Sequence, residues 1–311
     1  MSAPHGMGPD LVIVGAARSG TSSLAALLSQ HPQVDACAVK EPNYFSREHS
    51  RGPGWYDGLF RQRQHGLLRL DASMSYTFAH YPDALDSLAD AAPDAFVVYA
   101  VRHPVARLLS HMQLHRDYFR NEVSLSLGEA LESSGVYAGA SDYGEWLLRL
   151  EKLFGPDRLL VVPFPVVTGR RDELVRVLSS ATGLSSQPLL SAAETAGRHR
   201  NQVVEFKSRA VLVGRRLVRR WGFYPAVRSM LGPERLRRVR DWTTRPVETE
   251  SLVEALESCG DEQHDRLENL YSSARRAVVT HLKGQDTRLG LSWTEVWAQE
   301  CPGPGERGVD W

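Results

Sequence analysis

The segment from Leu11 to Ser29 constrains the fold of this chain most strongly. Leu11 to Val14 is a short apolar run rich in β-branched residues, and Gly15 to Gly20 follows as a predicted loop with two glycines. Thr21 to Ser29 is a predicted helix whose first residue carries a hydroxyl group. A wholly apolar run of this length is typical of a strand that is buried on both faces, as in a parallel sheet. Strand, glycine loop and helix in this order predict a phosphate-binding loop at a helix N-terminus.

The same strand pattern recurs along the chain and alternates with helical patterns. The further predicted strands are 67–70, 96–101 and 159–162, and the predicted helices between strands include 83–91, 104–119 and 143–154. This alternation predicts an α/β, three-layer fold with a central, mostly parallel sheet and helices on both faces. Because ligands bind beyond the carboxyl ends of such strands, Arg18, Asp71 and Arg102 are predicted to converge on one site.

Composition and charge favour one ordinary globular domain. The chain has 311 residues, and its 37 basic and 37 acidic residues balance, which gives no reason to expect a nucleic-acid partner. We predict a flexible arm over 1–10, a single domain over 11–300 and a flexible tail over 301–311. The apolar run Leu11 to Ala17 is too short for an integral membrane segment. Three cysteines without metal-ligand spacing predict a reducing compartment, a cytoplasmic location and no metal site.

The loop from Gly15 to Gly20 contains the groups that bind an anion. Glycines let backbone N–H groups approach oxygen atoms, while an arginine and hydroxyl side chains add charge and donors. The predicted phosphate ligands are Arg18, Ser19, Gly20, Thr21 and Ser22. The loop lacks the lysine of nucleotide-hydrolase loops, since Thr21 stands in its place, and an ordinary strand-to-helix turn is the alternative.

A second motif follows the predicted strand 96–101. Arg102 lies at the strand end, Pro104 suits the first turn of a helix, and Ser110 follows two turns later. Together Arg102 and Ser110 are suited to bind a phosphate, the arginine through two N–H groups and the serine through its hydroxyl. The alternative is that Arg102 caps a neighbouring element.

A third motif is Lys40-Glu-Pro-Asn-Tyr-Phe45. A carboxylate that lies beside a lysine and before aromatic residues is a candidate general base, and a solvated charge pair before a proline turn is the alternative. His103 and His111 compete for the role of base, and we interpret both as structural.

Taken together, these segments resemble the PAPS-dependent sulfotransferases, which use 3′-phosphoadenosine-5′-phosphosulfate (PAPS) as the sulfuryl donor. The similarity is to the branch with the heparan sulfate N- and O-sulfotransferases and bacterial tailoring enzymes. It covers about residues 11–205, and its segments are 15–24, 102–110, Lys40–Phe45, Asp71–Tyr76 and, faintly, Gly197–His199.

The resemblance implies a role for each matched residue. Glu41 would be the general base, with Arg18 and Lys40 stabilising the leaving group. Arg18 to Ser22 would bind the 5′-phosphosulfate, Arg102 and Ser110 the 3′-phosphate, and Gly197 and Arg198 a loop that closes over the nucleotide. The residues implied to contact the acceptor are Tyr44, Phe45, Asp71, Ser73 and Tyr76. Arg18 replaces the family's loop lysine, and Ala72, Met74 and Ala196 also depart from its pattern.

The predicted function is therefore in-line transfer of a sulfuryl group from PAPS, without a metal, to a hydroxyl or amine. The acceptor would be a small molecule or carbohydrate-like, as in secondary metabolism. The alternatives are a P-loop nucleotide kinase and a non-catalytic nucleotide- or polyanion-binding protein. A thermal shift with adenosine 3′,5′-bisphosphate distinguishes the last of these from an enzyme.

The stretch from Glu205 to Arg240 is strongly basic, with eleven Lys or Arg. Residues 205–245 are therefore a candidate acceptor lid or basic helical insertion, and a patch that docks an anionic partner is another possibility. A third interpretation pairs this stretch with the acidic segment 246–271, which has eight Asp or Glu. Near-complete charge compensation between the two segments favours the third interpretation.

Overall fold

The computed structural model describes residues 8–61, 66–119, 126–132, 136–195, 204–206, 235, 244–246 and 251–301. Most of the basic stretch 205–245, the predicted loop Gly197–Arg198 and the predicted tail from residue 302 lie outside the described residues. Of the predicted N-terminal arm, Gly8 and Pro9 are buried, and Asp10 exchanges hydrogen bonds with the backbone of Arg69. These three residues thus pack against the end of the sheet just before β1.

A five-stranded parallel sheet forms the centre of the fold. Its strands are β1 (Leu11–Gly15), β2 (Val34–Ala36), β3 (Leu68–Ala72), β4 (Phe96–Val101) and β5 (Leu159–Pro163), in the order β2-β3-β1-β4-β5. Every residue of β1 and of β5 is buried, which explains their uninterrupted apolar sequences. The predicted α/β fold with a central parallel sheet is confirmed.

Helices cover both faces of this sheet. The connection from β1 leads outward through α1 (Thr21–Leu28), and the connection from β3 crosses β1 to reach β4 through α3 (Ala84–Ala91). Because parallel crossovers are right-handed, α1 and α3 lie on opposite faces. The chain thus changes direction between β1 and β4, and this switch point is where α/β sheets open a crevice for ligands.

The predicted helix over 104–119 is an α-helix only in its first part. Here α4 (Pro104–Gln113) passes into a π-helical segment, Leu114–Phe119. The other helices near the sheet begin with α2 before β3 and continue with α5, α6 and α7 between β4 and β5. Their bounds are α2 (Pro53–Asp57), α5 (Leu127–Glu132), α6 (Val136–Gly139) and α7 (Tyr143–Phe154).

Among the described residues after β5, the regular structure is helical apart from two short strands. The helices are α8 (Phe164–Gly169), α9 (Arg171–Thr182), α10 (Ser186–Thr195), α11 (Leu252–Glu257), α12 (Asp261–Leu289) and α13 (Trp293–Glu300). The strands β6 (Val204–Phe206) and β7 (Thr244–Pro246) pair antiparallel at the two ends of the basic stretch. Gln285 of α12 donates to the carbonyl of Val161 and accepts from its N–H, both at 2.8 Å, and so satisfies the outer edge of β5.

Candidate functional site

The loop from Gly15 to Gly20, which we call the phosphosulfate loop, joins β1 to α1 beside the end of β4. The N–H of Ala16 donates to the Ala100 carbonyl of β4 at 2.8 Å. Gly15 and Gly20 have φ angles of 153° and 92°, and a Cβ at Gly15 would collide with Thr77 Oγ1. The glycines are therefore required by the conformation that presents the start of α1 at the sheet edge.

The structure brings Arg18, Arg102 and Ser110 together, as the two motifs predict. Arg18 Nε donates to Ser110 Oγ at 3.0 Å, and Arg102 Nη1 donates to the Arg18 carbonyl at 3.3 Å. The guanidinium of Arg102 also lies 4.8 Å from the centre of the Phe164 ring. Loop and strand end thus place two arginines and a hydroxyl around one point.

A third arginine lies behind this pair. Arg107 of α4 is fully buried, and its charge and that of Arg102 add to burial in lowering the pKa of Arg18 to about 10. Within the described residues, no carboxylate lies within 4 Å of these three guanidinium groups. Three neighbouring cations without such a partner form a strong anion-binding region.

One buried hydroxyl of the loop is also unsatisfied. Ser19 Oγ lies close to the Tyr143 hydroxyl, yet it is buried and has no hydrogen-bond partner among the described residues. The hydroxyl of Tyr143 donates to the Arg102 carbonyl at 2.7 Å and accepts from its N–H at 3.1 Å. A buried polar group without a partner is unfavourable, and a ligand oxygen at the loop would satisfy it.

Lys40 and Glu41 lie beside the start of α1. Lys40 Nζ donates to Ser22 Oγ at 2.6 Å and lies 3.2 Å from Glu41 Oε1. Glu41 has a left-handed φ of 58°, and Asn43 with φ 52° donates from its side chain to the Glu41 carbonyl at 2.5 Å. This bend places the predicted base beside Lys40, which contacts the first turn of α1.

Beneath Glu41 lies a buried network around Asp71. Its carboxylate accepts hydrogen bonds from Ser73 Oγ at 2.7 Å, Tyr76 OH at 2.7 Å and Tyr56 OH at 2.8 Å. Burial raises the pKa of Asp71, these three hydrogen bonds lower it, and the charge of Glu41 raises it further. Asp71 therefore does not join the arginines, although it ends a neighbouring strand.

The predicted acceptor contacts all belong to this buried layer. Asp71, Ser73 and Tyr76 are fully buried, and Tyr44 and Phe45 are nearly so. Tyr44 stacks on Tyr56 at 4.5 Å between ring centres. In this structure these side chains support the segment that carries Glu41, and their contact with an acceptor stays a prediction.

The two histidines of the second motif are buried, and their pKa values are lowered. Burial and the charge of Arg102 lower the pKa of His103 to about 4, and burial and Arg107 lower the pKa of His111 well below its ordinary value. The backbone N–H of Ala106 donates to His103 Nδ1 at 3.4 Å, which caps α4. A base this weak is poorly suited to accept a proton near neutral pH, which leaves Glu41 as the better candidate.

Arg107 is the residue of this region that the sequence motifs did not single out. It lies three positions before Ser110, so both residues share a face of α4, and that spacing was the available signal. The described residues include no group of three or more His, Cys, Asp or Glu that could bind a metal ion. In the same part of the chain, no helix is long and apolar enough to cross a membrane.

Over part of its length the chain is similar to known sulfotransferases. The heparan sulfate glucosamine 3-O-sulfotransferase 6 of Mus musculus is 33% identical over 102 residues, which are 33% of this chain and 29% of that protein. The membrane-associated sulfotransferase kil1 of Dictyostelium discoideum is 26% identical over 125 residues, or 40% of this chain and 26% of that protein. The match thus spans less than a third of the length of either relative.

Solved structures with the same fold include a sulfotransferase from Alicyclobacillus acidocaldarius. That structure has a TM-score of 0.50 and 28% identity, and the match covers 57% of this chain and 82% of that chain. Mouse sulfotransferase SULT7A1, solved as a complex with PAP, has a TM-score of 0.50 over 92% of this chain and 90% of that chain. At 12% identity it supports the fold alone.

A family model described as the sulfotransferase domain matches residues 8–164. This range contains β1 to β5, the phosphosulfate loop, the Lys40-Glu41 segment and the three arginines. The match covers half of the chain, and the chain belongs to the sulfotransferase domain family.

Proposed function

We propose that this chain is a sulfotransferase that transfers the sulfuryl group of PAPS to a hydroxyl or amine of a small-molecule or carbohydrate-like acceptor. The observation that carries the proposal is the convergence of Arg18, Arg102 and Ser110 with Lys40 and Glu41 at the carboxyl edge of β1 and β4. The arginines and Ser110 are suited to bind a nucleotide phosphosulfate, and Glu41 is suited to act as the base.

The residues present fit such a donor. A doubly phosphorylated nucleotide carries several negative charges, and the three guanidinium groups have no described carboxylate within 4 Å. The phosphosulfate loop adds the unsatisfied hydroxyl of Ser19 and the helix N-terminus at Thr21. We assign Arg18 to Ser22 to the 5′-phosphosulfate and Arg102 with Ser110 to the 3′-phosphate.

When bound, the donor supplies an activated sulfuryl group and leaves as adenosine 3′,5′-bisphosphate. Glu41 accepts the proton of the attacking hydroxyl or amine, and Asn43 and Lys40 hold that carboxylate segment in place. Arg18 and Lys40 stabilise the negative charge that develops on the leaving phosphate oxygen. Arginine at position 18 does this as a planar donor rather than as the point charge of a lysine.

The similarity to a glucosamine sulfotransferase supports a carbohydrate-like acceptor. That match covers only 33% of this chain and 29% of the relative. The acceptor is therefore named only by class, as a hydroxyl or amine on a sugar or small molecule.

The nucleotide-kinase alternative has less support from the structure. A kinase loop needs its lysine and a magnesium-binding carboxylate near the strand ends. Thr21 occupies the lysine position, and the carboxylate of Asp71 is buried with three hydroxyl donors. We retain the non-catalytic polyanion-binding alternative as an outcome of the test.

The test combines binding with turnover. Adenosine 3′,5′-bisphosphate should raise the melting temperature more than AMP, inorganic sulfate or heparin does at equal charge concentration. Labelled PAPS, incubated with the protein and a lysate of the producing organism, should yield a product heavier by one sulfuryl group in mass spectrometry. Equal stabilisation by all anions and no labelled product would instead establish the polyanion-binding alternative.

A further inference from the structure

Arg107 is a charged side chain that cannot touch a ligand directly. It lies in α4, is 0% exposed, and its hydrogen-bond partners are all neutral groups. Its guanidinium makes four contacts: Nε donates to Ser141 Oγ at 2.5 Å, Nη1 donates to the Ala17 carbonyl at 3.4 Å, Nη1 lies 3.3 Å from His111 Nδ1, and Nη2 donates to the Tyr137 carbonyl. Since arginine only donates, His111 Nδ1 is the acceptor.

These contacts join three separate segments of the chain. Ala17 belongs to the phosphosulfate loop, Tyr137 to α6, and Ser141 to the connection between α6 and α7. Ser141 Oγ also donates to the Pro104 carbonyl at the start of α4, at 2.9 Å. The guanidinium therefore links the phosphosulfate loop to the helix that carries Ser110.

Arg107 contacts the phosphosulfate loop at Ala17, directly before Arg18. On one side, the N–H of Ala16 is held by the Ala100 carbonyl of β4. The Ala16 carbonyl accepts from the N–H of Ser19, and the carbonyl of Ala17 is held by Arg107 from the side of α4. Arg18 follows directly with a left-handed φ of 68°, so the orientation of its peptide depends on how the Ala17 carbonyl is fixed.

A purely structural role explains the charge of Arg107 poorly. A buried guanidinium without a carboxylate is costly, and a neutral side chain could fill the same space. Arg107 nevertheless lies close enough to Arg18 to lower the pKa of that residue. A permanent positive charge at this place, without a described carboxylate within 4 Å, is suited to a site whose negative charge arrives with the ligand.

We infer that Arg107 is a positioning residue for the donor, which fixes the phosphosulfate loop through the Ala17 carbonyl and so prepares the loop for the 5′-phosphate group. Arg107 acts through the loop and does not contact the donor. This inference rests on the proposed function, because it assigns the loop to the 5′ end of the nucleotide.

The experiment measures the contribution of the 5′-phosphate to binding. Calorimetry gives the dissociation constants of adenosine 3′-monophosphate and of adenosine 3′,5′-bisphosphate, and the first divided by the second reports the 5′ interaction. In Arg107→Lys the charge is kept, but the planar set of donors is lost. We expect this ratio to fall about tenfold, because the network of charge-assisted hydrogen bonds around Arg107 is lost. The affinity for the 3′-monophosphate should change less than about threefold.

Two further variants make the result decisive. Ser141→Ala removes one contact of Arg107 without changing its charge, and the ratio should fall by about threefold, as for one ordinary hydrogen bond. Arg149→Lys is the matched control, since Arg149 of α7 also links segments, through the Pro82 carbonyl and Asp86, but far from the loop. Its ratio should equal that of the wild type even if its melting temperature falls.

Each outcome either supports the inference or overturns it. A fall in the ratio in Arg107→Lys but not in Arg149→Lys supports it. An unchanged ratio, or an equal loss of affinity for both nucleotides, shows that Arg107 only stabilises the fold and overturns it. If Arg107→Lys does not fold, Ser141→Ala decides in the same way. Failure of the wild type to bind the bisphosphate would instead contradict the proposed function.

Discussion

At the carboxyl ends of β1 and β4, Arg18, Arg102 and Arg107 lie together with no described carboxylate within 4 Å, whereas at the end of β3 the single carboxylate of Asp71 accepts three hydroxyl hydrogen bonds. Both clusters lie along one edge of the sheet, and their electrostatics are opposite. The arginine cluster has excess charge and an unsatisfied hydroxyl at Ser19, while the Asp71 cluster is satisfied by its own neighbours.

We expect this difference to assign different roles to the two clusters, with the arginine cluster binding a ligand and the Asp71 cluster stabilising the fold. A cluster that is complete within the fold contributes mainly to stability, because its charge is already solvated by protein donors. A cluster that lacks its counter-charge is stabilised when a ligand supplies it. Glu41 lies between the two: its backbone is bent over the Asp71 layer, and its carboxylate faces Lys40.

The largest expected effect is on turnover in Glu41→Gln. The amide keeps the shape of the side chain but cannot accept the acceptor's proton, and loss of a general base lowers turnover by about 10²–10⁴-fold. Transfer of label from PAPS to an acceptor fraction that the wild type modifies measures this effect. Affinity for adenosine 3′,5′-bisphosphate should remain near normal.

A surface glutamate provides the control for this variant. Glu48 forms an ion pair with Arg51 at 3.8 Å and lies outside both clusters, so Glu48→Gln should retain full turnover. Full turnover in Glu41→Gln would remove the base from this position, and the proton would have to leave by another route.

Arg102→Ala tests the binding side of the comparison. Loss of a charge-assisted contact to the 3′-phosphate should weaken bisphosphate binding by about 1.5–3 kcal/mol, or roughly 10- to 100-fold. Calorimetry measures this loss, and Arg158→Ala, which removes an exposed partner of Asp94, is the control. Binding within about twofold of the wild type would mean that Arg102 does not hold the nucleotide.

Sequence patterns predicted the arginine cluster better than the Asp71 cluster. Arg18, Arg102 and Ser110 follow strand ends within contiguous motifs, so the parallel sheet alone is enough to bring them together. Asp71 follows the same rule, yet its carboxylate is enclosed because Tyr56, from the separate helix α2, reaches it. A contact between segments that are distant in sequence leaves no local pattern.

The lack of a local sequence pattern also explains why the sequence did not predict β2 or the contacts of Arg107. The strand β2 has only three residues and includes the buried Asp35, whose carboxylate binds Arg61, so no apolar run marks it. Arg107 donates to the carbonyls of Ala17 and Tyr137, which belong to two segments distant in sequence, and no motif records such contacts. The family and the central sheet were predicted correctly because both depend on short contiguous patterns.

Asp71→Asn tests the support side of the comparison. The amide brings donors to a place where three hydroxyls already donate, so at least one buried polar group loses its partner. We expect the free energy of unfolding in urea to fall by about 3 kcal/mol. Bisphosphate affinity should change by less than about threefold, since the arginine cluster is separate. Asp157→Asn, at an exposed ion pair with Arg288, is the matched control. The reverse pattern, with weak binding and normal stability, would place Asp71 in the ligand site.

The smallest expected effect concerns Glu300, at the end of α13, whose charge raises the pKa of Arg102. Burial raises the pKa of Glu300 to about 7, against the opposing effects of the His103 backbone N–H and of Arg102. Because its ordinary value is 4.5, the folded state holds a proton that the unfolded state has lost, and stability falls as the pH rises from 4.5 to about 7. Above that range the loss is complete.

Glu300→Gln should remove this component. Relative to the variant, the wild type should lose about 1–2 kcal/mol of unfolding free energy between about pH 5 and about pH 8, measured by urea unfolding. The depressed pKa of His103 makes stability rise with pH over part of this range, but it does so in both proteins and cancels in the difference. Parallel pH profiles for the two proteins would contradict the prediction. They would instead mean that Glu300 is already ionised in the folded protein at neutral pH, so that α13 supplies Arg102 with a counter-charge.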